Sequence, residues 1–182
     1  MKNFFKRMKV KGRCPPRVPL KKIYWSCLGS FLGVFLVGWF GCLLQSVGEA
    51  ELFLIGSFGA SAVLVYGVPL MQLSQPRNLI GGHFLSAIVG VTVNIVLGDN
   101  VVLASALAVS IAICVMHFSR TLHPPGGATA LIAVIGGERV HSLGYMYTLK
   151  PVLLGALIML IVALLVNNLS TDQNRHYPVY WF

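Results

Sequence analysis

Six apolar segments joined by short polar connections leave this chain few ways to fold. They cover residues 23–45, 52–66, 79–97, 101–118, 124–135 and 151–166. The first is long enough as a helix to cross a hydrocarbon core about 30 Å thick. Apolar residues make up 56% of the sequence and charged residues 10%, against roughly 25% charged in soluble domains. A soluble domain of this size buries only a helix or two on every side, so lipid is the natural partner for so much apolar surface. Every backbone amide inside a bilayer needs a partner within its own segment, which favours helices. The expected fold is all-α, a polytopic transmembrane helical bundle. Three regions follow: a basic tail at 1–22, a membrane domain at 23–168 and a polar C-terminal tail at 169–182.

Charge is as uneven as hydropathy. Nine of the fourteen basic residues precede the first apolar run: Lys2, Lys6, Arg7, Lys9, Lys11, Arg13, Arg17, Lys21 and Lys22. No stacking platform accompanies this block, so nucleic acid is not an expected partner. A cytoplasmic tail beside anionic lipid accounts for it. The run at 23–45 exceeds the core of a cleavable signal and lacks a small-residue exit; a transit peptide removed upstream stays open. Cys27, Cys42 and Cys114 lie in apolar spans and Cys14 in the tail, without a CxxC pair, so they read as small packing residues and not as a disulfide framework.

Two segments, 52–66 and 124–135, are too short and too rich in small residues to be ordinary lipid-facing spans. They also resemble each other. Gly59-Ala60-Ser61-Ala62-Val63-Leu64 aligns without a gap on Gly127-Ala128-Thr129-Ala130-Leu131-Ile132. Each short segment lies between two long ones, so the chain reads as a duplicated three-segment unit. Paired short segments interrupted by Gly or Pro point to transport sites. With the tail in the cytoplasm and all six segments crossing, Glu49, Glu51 and Asp99 fall outside, and Arg77, Arg120 and Arg175 inside. Glu138, Arg139 and Lys150 share an outer loop. Three crossings per unit relate the halves by inverted topology. A re-entrant alternative puts Arg77, Arg120, Arg139 and Lys150 outside, which the positive-inside rule disfavours. A bacterial plasma membrane, with both termini cytoplasmic, is the expected setting.

The sharpest string runs from Arg120 through His123, Pro124, Pro125, Gly126, Gly127 and Ala128 to Thr129 and Ala130. Proline is tolerated in a helix's first turn, so a helix is expected to start near Pro125 and reach Val134. Its first-turn amides, opened by Gly126 and Gly127, would form an anion site with the Thr129 hydroxyl, beside Arg120 and His123. Glycines that merely let neighbouring helices approach are the competing explanation. By the duplication, Ser57, Gly59, Ala60 and Ser61 offer a second cluster of donors. Around Pro76 stand Gln75, Arg77, Asn78 and His83, with Gly81 and Gly82 permitting close backbone approach. Arg77 also fits a plain interfacial anchor.

Absent residues narrow the function. No Asp, Glu or Lys interrupts the six segments, whereas cation pathways and proton relays usually rely on buried carboxylates. Paired carboxylates and nucleophile–base arrangements are likewise not visible, so no enzyme is expected. His117 and His123 are six residues apart with no Cys or acidic neighbour at ligand spacing, so neither a metal nor another cofactor is expected. A small anion suits the remaining neutral or positive groups.

The strings SFGASAVLVYGVPLMQLSQPRNLIGGHFLSAIVG and RTLHPPGGATALIAVIGG resemble the two signature regions of the HPP family of membrane proteins, whose name matches His123-Pro124-Pro125 here. The resemblance covers nearly everything after Lys22, including Tyr177-Pro178-Val179-Tyr180-Trp181. It implies four membrane helices and, from cyanobacterial and plastid members, nitrite transport. Under that expectation the anion meets amides at Gly126, Gly127 and Ala128 and the hydroxyls of Ser57, Ser61 and Thr129. Arg77 and Arg120 gather anions at the cytoplasmic mouth, and His123 makes the site pH-dependent. Rival readings are a channel or transporter for formate, nitrate or another small solute, and a non-transporting scaffold. Small residues on many faces leave a homo-oligomer open.

Overall fold

The computed structural model describes residues 2–8, 12–44, 53–172 and 175–182. Lys9, Lys11, the expected segment ends Gln45 and Leu52, and Glu49 and Glu51 lie outside the described residues. Among the described residues every regular element is helical. In chain order these are α1 (Lys2–Arg7), α2 (Leu20–Leu44), α3 (Gly56–Ala62), α4 (Pro76–Leu97), α5 (Val101–Phe118), α6 (Pro124–Ile135), α7 (Glu138–His141) and α8 (Leu154–Leu169). A π-helical turn at Val63–Gly67 extends α3, and another at Thr148–Leu153 leads into α8. Four helices are long and apolar enough to cross a membrane, at Leu20–Leu43, Pro76–Leu97, Val101–Phe118 and Thr148–Leu169. Gly56–Gly67 and Pro124–Ile135 are the shorter apolar pair.

Local chemistry explains several boundaries. Pro76 opens α4 and Pro124 with Pro125 open α6, where a missing N–H costs no helical bond. The Asn100 side chain accepts from the Leu103 amide at 3.1 Å and so caps α5. At the sixth segment, Pro151 holds Lys150 extended (φ −101°, ψ 122°), and regular α-helix begins at Leu154.

Contacts fix the direction of each segment. Gly29 of α2 packs on the Tyr66 ring, and Gly41 packs on Phe53, so the stretch from 53 to 67 runs antiparallel to α2. Gly155 of α8 packs on Phe58, and Asn167 donates to the Val65 carbonyl at 3.1 Å, so α8 runs parallel to that stretch. Gly82 abuts His123 and Gly90 abuts Ala130, so α4 and α6 run parallel. Ser61 meets His123 while Ser57 meets Thr129, so α3 runs antiparallel to α6. The six segments therefore alternate in direction, and each short helix leads from one end of the bundle towards the other. α3 with its π-helical turn and α6 have twelve residues each, only about 18 Å of helix, so both are shorter than the four long spans.

Helix pairing repeats under the exchange of α2 with α5, α3 with α6 and α4 with α8. α2 packs on α8 as α5 packs on α4; α2 packs on α3 as α5 packs on α6; α3 packs on α8 as α6 packs on α4. Each exchanged pair runs in opposite directions, the arrangement of an inverted repeat. One face, the tail face, carries the start of α2, the residue 68–75 connection, the 119–123 connection and the C-terminal segment.

That C-terminal segment straps the tail face. Arg175 is fully buried and donates to the carbonyls of Lys22 and Tyr66 and to the Ser26 hydroxyl. The Tyr177 hydroxyl donates to the Ser74 carbonyl at 2.8 Å, and the Val179 amide donates to Gln75 Oε1 at 2.8 Å. On the outside, Phe31, Phe35 and Trp39 stack along the exposed side of α2 at centroid distances of 5.8 and 5.9 Å. This surface would contact lipid. Cys27, Cys42 and Cys114 are exposed there and on α5 rather than packed inside, because each falls on a helix side turned away from the bundle.

Candidate functional site

Ser57 and Ser61 lie four residues apart in the α3 stretch, on one side of it, and both are fully buried. Opposite them stand His83 of α4, His123 at the start of α6 and Thr129 six residues further on, all with no exposed surface. These five side chains form a single hydrogen-bonded chain. His123 Nδ1 lies 2.7 Å from the Leu73 carbonyl oxygen, and its Nε2 lies 2.9 Å from Ser61 Oγ. Ser61 Oγ lies 2.7 Å from His83 Nε2. His83 Nδ1 lies 2.7 Å from Thr129 Oγ1, which donates to Ser57 Oγ at 2.9 Å. Tyr147 braces the far end by donating to the Thr129 carbonyl at 3.2 Å.

The repeat explains the centre of this chain. Ser61 and Thr129 occupy equivalent positions of the two aligned hexapeptides, and they clasp the two nitrogens of one imidazole, His83. Phe58 packs edge-on against the same ring at a centroid distance of 5.2 Å. The His83 and His123 rings stand 5.0 Å apart. Gly82 makes their approach possible: a Cβ there would lie 2.5 Å from His123 Cβ and 2.8 Å from the Thr121 carbonyl oxygen. One turn along α4 from His83, the buried Ser86 hydroxyl has no hydrogen-bond partner among the described residues.

On the tail face the chain meets a hollow of about 300 Å³ lined by Gln72, Leu73, Asn78, Met116, His117, Arg120 and Leu122. Leu73 belongs to both, since its carbonyl ends the buried chain. Arg120 is exposed and adopts φ 57°, the left-handed region, which turns the backbone sharply out of α5. Asn78 donates to the Leu122 carbonyl at 2.8 Å, fixing the hollow's floor to the α6 connection.

Several expected site residues have other positions. Gly59 and Ala60 face outward, because the inner side of α3 is taken by Ser57, Phe58, Ser61 and Ala62. The Gly126 amide is not open: it donates to the His123 carbonyl at 2.7 Å. A Cβ at Gly126 would lie 2.8 Å from the Gly82 carbonyl oxygen, so this glycine serves helix contact. Gly127 and Ala128 line an apolar hollow of about 450 Å³ with Val109, Ile113, Met116, Leu122, Pro124 and Leu131. Gly81 packs on the Thr121 side chain. Gln75 is structural: its amide donates to the carbonyls of Pro69 and Met71, both at 2.9 Å. Arg77 donates to the Ser119 carbonyl at 2.8 Å and caps the end of α5. His123, just outside the expected segment 124–135, is buried, while His117, inside the expected segment 101–118, is exposed at the hollow. Sequence reasoning also saw no nucleophile–base pair, yet Ser61 stands between two imidazoles, because the pairing spans residues far apart in the chain. The Leu73 carbonyl, Tyr147 and the Arg175 strap were missed as well. A polar Asn167 late in an apolar run was the one signal for a buried tail-face clamp.

Fold and motif meet in the profile of the HPP transmembrane region, which matches residues 15–178. The chain belongs to the HPP transmembrane family. Two transmembrane proteins of Dictyostelium discoideum are similar to it: one is 44% identical over 98% of this chain, the other 46% identical over 94%. This HPP chain spans 57% and 60% of their lengths, so those relatives carry sequence beyond the shared region. No solved structure matches the chain.

Proposed function

We propose that the chain carries a small monovalent anion across the membrane, and that nitrite, which the HPP resemblance points to, is its substrate. One observation carries the reading. Five buried hydroxyl and imidazole side chains, drawn from the two short helices and α4, form one polar line in the middle of the bundle and reach a hollow bearing Arg120 and His117. Polar groups at that depth are costly in a bilayer and mark solute paths. The site is one of side chains, not of helix amides. Arg120 and His117 would raise the local anion concentration at the mouth, and the free Ser86 hydroxyl offers a donor beside His83. Positive-inside reasoning puts the basic tail, and hence this mouth, in the cytoplasm.

A transporter fits better than an enzyme, despite the Ser61–imidazole contacts. Ser61 lines none of the hollows described above, and its hydroxyl is already bonded to both imidazoles. The test is nitrite uptake into liposomes containing purified protein. Uptake well above protein-free vesicles, depressed by His123→Ala in a protein that remains monodisperse, supports the proposal. No uptake of nitrite, with His123→Ala as stable as the parent, leaves a helix-packing scaffold. Stronger uptake of formate or nitrate in competition would change the substrate.

A further inference from the structure

The tail-face hollow does not stand alone. Met116 and Leu122, which line it, also line the apolar hollow of about 450 Å³ between α5 and α6. The two adjoin at these side chains, so a polar chamber gives way to an apolar groove. We propose that they hold one anionic phospholipid, with its phosphate at Arg120 and His117 and an acyl chain in the groove.

The polar half gathers positive groups. Arg120 and His117 are exposed at the hollow, and Arg77 is bonded next to Arg120 in the chain, to the Ser119 carbonyl at 2.8 Å. Asn78 gives one amide hydrogen to the Leu122 carbonyl and keeps a second. The carboxylates among the described residues, Asp99, Glu138 and Asp172, line neither hollow. Arg120 keeps φ 57°, a region most residues with a side chain avoid, and this places its guanidinium at the rim. A guanidinium matches the paired oxygens of a phosphate. Basic pockets between membrane helices on the cytoplasmic side are fitted to lipid headgroups.

The apolar half has the reach of an acyl chain. Pro124, Gly127, Ala128 and Leu131 fall on one side of α6, and Val109 and Ile113 face them from α5. From His117 to Val109 is about 12 Å of helix. Half the hydrocarbon core is about 15 Å, so the groove follows one leaflet inward from the tail face. A second membrane helix would find only half a seat there. Gly127 keeps the groove open, since a Cβ there would meet only Val109, at 3.8 Å. The larger hollow beside Phe31, Phe35 and Trp39 has no cationic residue in its lining, so nothing in it selects a headgroup.

The polar hollow is also the mouth assigned above to anion entry, so a bound headgroup and nitrite would contend for Arg120. Lipid binding is read without any flux, by native mass spectrometry of the full chain in detergent. The chain is equilibrated with dioleoylphosphatidylglycerol or dioleoylphosphatidylcholine. It should retain one phosphatidylglycerol at least tenfold more tightly than phosphatidylcholine. Arg120→Asn removes the charge with a residue that accepts the left-handed backbone, and should cut this preference at least fivefold. Gly127→Leu fills the groove and should weaken phosphatidylglycerol at least fivefold, with the melting temperature in detergent unchanged. Lys21→Gln with Lys22→Gln should leave the bound lipid in place. Equal retention of the two lipids, or a preference untouched by Arg120→Asn, overturns the site. Binding spared by Gly127→Leu but displaced by inorganic phosphate leaves a free-anion site and overturns the lipid. Lipid-free dimers lost in Gly127→Leu give the groove to a second copy instead. Nitrite takes no part in these measurements, so failure of the lipid site leaves transport standing, and failure of transport leaves the lipid site.

Discussion

The two short helices share a hexapeptide pattern and use it differently. In α3 the glycine at position 59 faces outward, with nothing within 4 Å of where its Cβ would stand. In α6 the aligned Gly127 is nearly as open, with only Val109 at 3.8 Å, and the residues beside it make the contact: Gly126 sits against the Gly82 carbonyl, and Ala130 approaches Gly90 so closely that a Cβ there would lie 2.5 Å from the Ala130 carbonyl oxygen. The one function both helices share is the hydroxyl two residues after the aligned glycine, Ser61 and Thr129, and the two meet on His83. Likeness of sequence marks the repeat; the neighbouring helix decides whether a small residue packs or merely faces lipid.

The comparison breaks most sharply at its glycines. Gly126→Leu should cost more than about 3 kcal/mol of stability, since backbone and the neighbouring helix leave no room. Gly59→Leu should leave the protein monodisperse after detergent extraction. A size-exclusion profile of both variants checks this, and equal behaviour would remove the assigned difference between α3 and α6.

A smaller effect is expected at the shared hydroxyls. Ser61→Ala strips a partner from both imidazoles and should destabilise by about 2–3 kcal/mol, whereas Thr129→Val should cost about 1–2 kcal/mol. Thermal melts of the two variants sharpen the comparison, because a larger loss at Thr129 would place the centre of the cluster elsewhere. Arg175→Ala leaves the Tyr66 and Lys22 carbonyls short of a donor and should cost about 1–2 kcal/mol. That loss should fall on the end of the α3 stretch and spare α6, as hydrogen exchange can read. The smallest effect belongs to Arg120→Ala, which should raise the nitrite KM about threefold at low salt with little change in kcat. The difference should fade at 0.5 M salt, where the field of an exposed charge is screened.

Much of this could be read from the chain alone. Apolar run length set the helical membrane fold, since only internally bonded segments survive in hydrocarbon. The ungapped match of 59–64 to 127–132 set the repeat, and an odd number of segments per unit set its inversion. Ser57, Ser61, His83, His123 and Thr129 were visible as polar residues that an apolar span has no reason to keep. Their partners were not. Which face of a helix turns inward depends on what packs against it, and so Gly59 and Ala60 were expected inside, Cys27 buried and the Gly126 amide open. The Leu73 carbonyl carries no side-chain signal at all.

Composition and periodicity thus determined where the chain runs through the membrane, because transfer of each residue between water and lipid is a local property. The Ser61–His83–Thr129 clasp and the strap at Arg175 were decided only when distant segments met. A hydrogen bond needs both partners within reach, and no single stretch of this sequence holds both.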